Sequence, residues 1–126
     1  MISFEMAHKL HENGFKFKGC NNWINKHNAL FHIVTKDAIL KEIVVYAPTF
    51  EELWERLPPY IIDNNTTYWL RLEKLKRYDR IGYFQDNDIF CENIIIEYDN
   101  SEIETITLSD LAAEMLIELK NRGMME

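Results

Sequence analysis

The sequence is poor in the residues that usually announce a chemistry. Its two cysteines, Cys20 and Cys91, stand far apart and outside any CxxC spacing. Neither a disulfide framework nor a zinc site is indicated, and a reducing cytoplasm is the compartment that fits. Four glycines occur, all isolated, and no GxGxxG, P-loop or GxSxG pattern offers a phosphate cradle or a nucleophile elbow. No apolar run approaches a membrane-spanning length, and MISFEMAHKLHENGF lacks the basic start and unbroken apolar core of a signal peptide. The expectation is a soluble, unexported chain. Positive charge is short as well, with 14 Lys and Arg against 21 Asp and Glu for a net charge of −7. The shortage is local: residues 84–126 hold 11 acidic and 2 basic residues, net −9, whereas the first 83 hold 10 and 12, net +2. A negative field over the last third disfavours phosphate-bearing partners and suits basic ones.

What is present describes an ordinary globular chain. Hydrophobic residues make up 47% and charged residues 28% of 126 positions, which excludes wholesale disorder and allows one core, so residues 1–126 are expected to form a single domain. The densest set of agreeing signals lies between Tyr46 and Ile61, YAPTFEELWERLPPYI. Thr49 can cap a helix, with Glu52 reaching back to close a capping box. Phe50, Leu53, Trp54 and Leu57 fall at i, i+3, i+4 and i+7 to make one apolar stripe, for which a sheet is the expected cover. Glu51 and Glu52 suit the positive end of the dipole and Arg56 the negative end, and Pro58 and Pro59 stop the helix.

On the N-terminal side, Ser3 can cap a helix that runs to about Asn13, with Met6, Ala7 and Leu10 inward and Gly14 as the C′ residue. Short strands are expected at Trp23 to Asn25, Ala29 to Thr35 and Leu40 to Ala47. On the other side, Asp63 to Thr67 reads as a polar loop. Tyr68 to Leu75 reads as a strand with Leu70 and Leu72 on one face, and Arg80 to Phe84 as its hairpin partner. Ile89 to Tyr98, with Ile94, Ile95 and Ile96 in succession, reads as a strand covered on both sides, and Glu102 to Thr107 as a strand returning beside it. A last helix, about Leu108 to Arg122, would have Thr107 or Ser109 as N-cap and Leu108, Leu111, Ala112, Met115 and Leu119 inward. Asp110, Glu114 and Glu118 would form its acidic outer stripe, and Gly123 its C′ residue. Strands grouped between segregated helices predict an α+β fold, an antiparallel sheet of about four to six strands packed by three helices.

Three of these segments carry a resemblance. Ser3 to Phe15 (SFEMAHKLHENGF), Tyr46 to Pro58 (YAPTFEELWERLP) and Leu108 to Gly123 (LSDLAAEMLIELKNRG) resemble, in the same order, segments of small uncharacterised proteins common in bacterial phages and prophages. They cover about a third of the chain, and the matching features are helix caps and faces. The resemblance implies a mobile-element origin and a small α+β fold, and it supplies no catalytic residues.

Candidate chemistry is sparse. His8 and His11 share a helical face with Glu5 and Glu12, but HKLHE lacks the HExxH spacing of a zinc protease, and a solvated polar face accounts for them. Asp86, Asn87 and Asp88 with Glu97 imitate part of a calcium loop, yet Cys91 stands where the turn demands glycine. No metal or other cofactor is expected. Arg71, Lys74, Arg77 and Arg80, interleaved with Tyr68, Trp69, Tyr78 and Tyr83, could neutralise phosphates and stack bases on a sheet, although the whole-chain charge opposes a nucleic-acid partner. Aromatic residues at 13%, among them Trp23, Trp54 and Trp69, exceed what one small core readily hides, and Tyr, Trp and Arg commonly anchor protein interfaces. The leading expectation is therefore a cytoplasmic, non-enzymatic protein that binds another protein or a second copy of itself. Glu102, Glu104, Asp110, Glu114 and Glu118 are its expected contact surface. Two further readings stand beside it: an immunity- or antitoxin-like acidic inhibitor of a basic toxin or nuclease, and a nucleic-acid module built on the basic hairpin.

Overall fold

A computed structural model describes residues 2–17, 21–26, 29–34, 43–85, 93–102 and 106–125. Helix α1 (Phe4–Glu12) starts as its sequence dictates, with the Met6 N–H donating to Ser3 Oγ at 3.2 Å. It ends in a Schellman turn: Phe15 N–H reaches Leu10 O and Gly14 N–H reaches His11 O, both at 3.0 Å. Gly14 sits at φ +83°, which an L side chain rarely tolerates. One turn apart on this helix, His8 Nδ1 lies 3.0 Å from Glu12 Oε1.

Strands β1 (Asn21–Lys26), β2 (Ala29–Val34) and β3 (Ile43–Tyr46) form an antiparallel sheet in the order β2-β1-β3. The connection between the second and third expected strands, with the first residues of the third, lies outside the described residues. Helix α2 (Phe50–Arg56) carries the expected capping box, Glu52 N–H to Thr49 Oγ1 at 3.3 Å and Thr49 N–H to Glu52 Oε1 at 3.1 Å. Leu53 and Leu57 are buried, with Phe50 and Trp54 packed partly against the core.

A second antiparallel sheet follows, β4 (Tyr60–Asp63), β5 (Thr66–Lys74), β6 (Asp79–Gln85) and β7 (Asn93–Asp99), in simple sequential order. Strand β4 lies between the expected helix stop, Pro58 and Pro59, and the expected polar loop, sharing with that loop only its first residue, Asp63. Asn64 and Asn65 have φ of 49° and 63°, the two consecutive left-handed residues of a type I′ turn, which asparagine accepts better than other side-chain-bearing residues. The polar pair is thus a two-residue hairpin, and the short YIID segment before it is its first strand. Alternation along the sheet sends Ile61, Ile81, Tyr83 and Ile96 inward. Leu70 and Leu72 do share that face, but Leu72, 36% exposed, has run past the core. The triple isoleucine is not covered on both sides. A register shift against β6, where Tyr83 pairs with Ile96 but Phe84 with Ile94, leaves Ile94 on the outer face and 37% exposed.

Helix α3 (Leu108–Asn121) is the element the rest is packed around, touching α1, α2, β6 and β7. Leu111, Ala112, Ala113, Met115, Leu116 and Leu119 are all essentially inaccessible, so the apolar arc is wider than the expected inner stripe. The small Ala112 and Ala113 allow close approach on adjoining sides. The stripe of α2 is accordingly covered by a helix, α3, where a sheet was expected. Tyr83 ties the sheet to the end of α2 by donating its hydroxyl to Pro58 O at 2.7 Å, and burial pushes its phenol pKa well up. A second Schellman turn closes α3, with Met124 N–H on Leu119 O at 2.9 Å and Gly123 at φ +70°. Among the described residues the fold is α+β and antiparallel with three helices, as expected, but the strands divide into sheets of three and four instead of one layer. The strand expected over Glu102 to Thr107 is not seen at its described ends: Glu102 lies in a bend, Ile106 and Thr107 lead into α3, and residues 103–105 lie outside the described residues.

Candidate interaction surface

The face of the four-stranded sheet turned away from α3 is built by strand parity. Tyr60 pairs with Trp69, Trp69 with Phe84, Arg71 with Gly82, Gly82 with Glu97, and Glu73 with Arg80, so these side chains share one side of the pleat. Gly82 creates the space on which this face depends. A Cβ there would lie 2.8 Å from both Ile96 O and Phe84 Cε2, so the Phe84 ring lies across the bare glycine. The guanidinium groups of Arg71 and Arg80 sit 4.8 and 4.9 Å from the ring centroid. Phe84 is wholly buried beneath them.

Those two arginines are held by carboxylates on the same face. Arg80 meets Glu73 at 2.5 Å and Glu97 at 3.5 Å, and Arg71 meets Glu73 at 3.3 Å. Burial acts to raise the Glu73 pKa, but the hydrogen bonds and charges of Arg80 and Arg71 outweigh it, and the group lies below its usual value. Among the described residues the cluster sets two cations against two anions. Beside it, at the β4 side, the Tyr60 and Trp69 rings meet at a tilt of 52° with centroids 5.3 Å apart while remaining 47% and 48% exposed, and Ile62 is 64% exposed. Isolated exposed apolar residues are ordinary on a protein surface; a contiguous aromatic and aliphatic patch is not.

The nine residues singled out from sequence fare differently. Asp110 does not stand on an outer stripe. It is 5% exposed, and its carboxylate caps two helices at once, Oδ2 accepting the Thr107 N–H at 3.4 Å and Oδ1 the Ser3 N–H at 2.7 Å. Occupying position N3 of α3, it completes a capping box with Thr107. Glu114 and Glu118 are half-buried beside Tyr98, whose phenol is pushed up to about 12 by burial and then by the charges of Glu118 and Glu114. Glu118 is also paired with Arg122 at 2.7 Å. Glu102 is exposed, and Glu104 lies outside the described residues. Of the basic set, Arg71 and Arg80 belong to the balanced cluster, while Lys74 and Arg77 are exposed at the β5–β6 hairpin end. There they line a shallow depression of about 490 Å³ with Lys76, Tyr78 and Asn100. No four-membered basic patch forms. The partial calcium-loop segment, residues 86–92, and both cysteines lie outside the described residues. Among the described residues, no group of three or more His, Cys, Asp or Glu side chains could hold a metal ion, and no helix is long and apolar enough to cross a membrane.

No protein-family model, curated protein or solved structure matches the chain.

Sequence reasoning missed Tyr60, Ile62, Phe84 and Ile94 as surface-building residues. The signal for the first two was present in the tyrosine and two isoleucines between the Pro58–Pro59 and Asn64–Asn65 breakers. Phe84 and Ile94 depend on strand pairing and a register shift, which are not local properties.

Proposed function

We propose that the chain is a cytoplasmic, non-enzymatic protein of phage or prophage type that works by docking the outer face of its four-stranded sheet against another protein surface. The observation that carries this reading is the exposed patch of Tyr60, Ile62 and Trp69 beside a charge-balanced Arg71–Glu73–Arg80–Glu97 cluster. Such a face favours a partner that is itself apolar and weakly charged, because a basic protein or a polyphosphate backbone gains little from a balanced surface and would still meet the net charge of −7. The burial of Asp110 and the pairing of Glu118 count against the acidic side as the contact surface.

The test is capture of partners from the host cell by the tagged full chain, compared with two variants. Ile62→Lys/Trp69→Glu alters only exposed side chains of the outer face and is expected to abolish specific capture, whereas Glu114→Lys/Glu118→Lys is expected to retain it. Capture should also survive salt of about 0.5 M, at which the Debye length falls to a few ångströms. Loss in the acidic-side variant alone, or elution by moderate salt, would favour the acidic inhibitor reading and sink this one.

A further inference from the structure

Strand β4 is an edge of its sheet, and the register fixes which of its backbone groups face outward. Leu70 N–H donates to Pro59 O at 3.0 Å, so Pro59 and Leu70 form a bonded pair. By alternation, Ile61–Tyr68 and Asp63–Thr66 are bonded pairs too. The N–H and C=O groups of Tyr60 and Ile62 therefore point away from β5, and no strand among the described residues lies on that side. These same two residues expose their side chains on the outer face, 47% and 64%. Edge strands normally carry Lys, a bulge or Pro at a position that blocks pairing; β4, reading YIID, has none of these on its open side.

We infer that a second copy of the chain pairs antiparallel with β4 about a two-fold axis through Ile61, joining two four-stranded sheets into one of eight. This rests on the outer-face reading above and names its partner. In that register Tyr60 lies opposite Ile62 of the other copy and Ile62 opposite Tyr60. All four outward N–H and all four outward C=O groups then exchange four hydrogen bonds, leaving the remaining orphans only at the strand ends. Pro59 falls opposite Asp63, at a non-bonded pair, where its missing N–H costs nothing. A two-residue slip one way would set Ile62 opposite Pro58, which has no donor, and the other way would set Tyr60 opposite the turn residue Asn64; a slip by one residue would turn the apolar side chains to the wrong face. On the outer side the two copies would form a continuous band running Trp69, Tyr60, Ile62, Thr67 across the axis and back.

Charge along the edge permits the same pairing. Each chain carries −7, but the four residues of β4 hold a single charge, Asp63, so little like charge is set directly along the paired edge. The overall repulsion remains, so association should strengthen as salt screens it, the opposite of what a basic or nucleic-acid partner would show.

The experiment is solution mass of the full chain by light scattering across a concentration series, at about 20 mM and about 200 mM salt, for wild type, Ile62→Lys and Ile62→Pro. Proline removes the outward N–H of residue 62 without touching a bond to β5, and an unchanged circular dichroism spectrum shows that each variant is folded. The expected result is a wild-type dimer whose apparent Kd falls several-fold with salt, and at least a tenfold weaker Kd in both variants. A dimer unaffected by either substitution would place the contact elsewhere and overturn the inference. A wild type monomeric at every concentration would also overturn it. In that case, partner capture lost in Ile62→Lys would leave the outer-face reading standing, and capture retained would remove both.

Discussion

Replacing Asp110 by Ala should destabilise the fold by about 2–4 kcal/mol, and the reason lies in where its two oxygens go. The 2.7 Å bond from Ser3 N–H to a carboxylate that is 5% exposed is charge-assisted, and such bonds contribute roughly 1.5–3 kcal/mol. The second oxygen completes the α3 capping box at 3.4 Å, a long bond that adds the lower end of a capping contribution, about 0.5–1 kcal/mol. Removing both also frees the start of α1 from the start of α3, residues 107 positions apart. Against a total stability of roughly 5–15 kcal/mol this is a large loss, on the order of 10 °C in Tm. Thermal and urea unfolding of wild type, Asp110→Ala and Asp110→Asn would measure it, with Asn keeping one acceptor and losing less. Were Asp110 on a solvated outer stripe, the Ala variant would change stability by no more than about 0.5 kcal/mol. A Tm within a degree or two of wild type would refute the capping role.

Two further outcomes follow from the sheet. Gly82→Ala forces a Cβ to within 2.8 Å of a backbone carbonyl and of the Phe84 ring, so urea unfolding should show a loss of about 1–3 kcal/mol, and an unchanged midpoint would contradict the packing. Tyr98 should ionise near pH 12, and neutralising its acidic neighbours with Glu114→Gln/Glu118→Gln should move its absorbance titration down. It should stay above the free value of 10.0, because burial is the larger cause. Since the folded pKa is raised, the stability this group contributes is present below pH 10 and lost as pH rises through about 12.

The helix ends were legible because their chemistry is local. Ser3, Thr49 with Glu52, Gly14 and Gly123 each act within a few residues of themselves, and each does what its sequence neighbourhood implies. Asp110 was misread because two local patterns compete there. It lies four residues before Glu114, which suggests an acidic stripe, and three after Thr107, which suggests a capping box; burial against Ser3 decides between them. The depth of α3 was hidden for a related reason. Ala113 and Leu116 look like tolerated surface residues until α1 and α2 are known to cover that side. Strand β4 was lost because the proline and asparagine pairs around it carry strong turn signals, and four residues give alternation little room to show. The division into two sheets and the offset at Ile94 arise from pairing between distant segments, which periodicity along one segment does not encode.

Residue-resolved amide exchange along β4 tests the central claim most directly. In dilute protein the Ile61 amide, bonded to β5, should be protected while those of Tyr60 and Ile62 exchange readily; at high concentration, or with a captured partner, Tyr60 and Ile62 should become protected too. If Tyr60 and Ile62 exchange at the same fast rate under every condition, nothing pairs along this edge, and the joining of two copies through β4 fails.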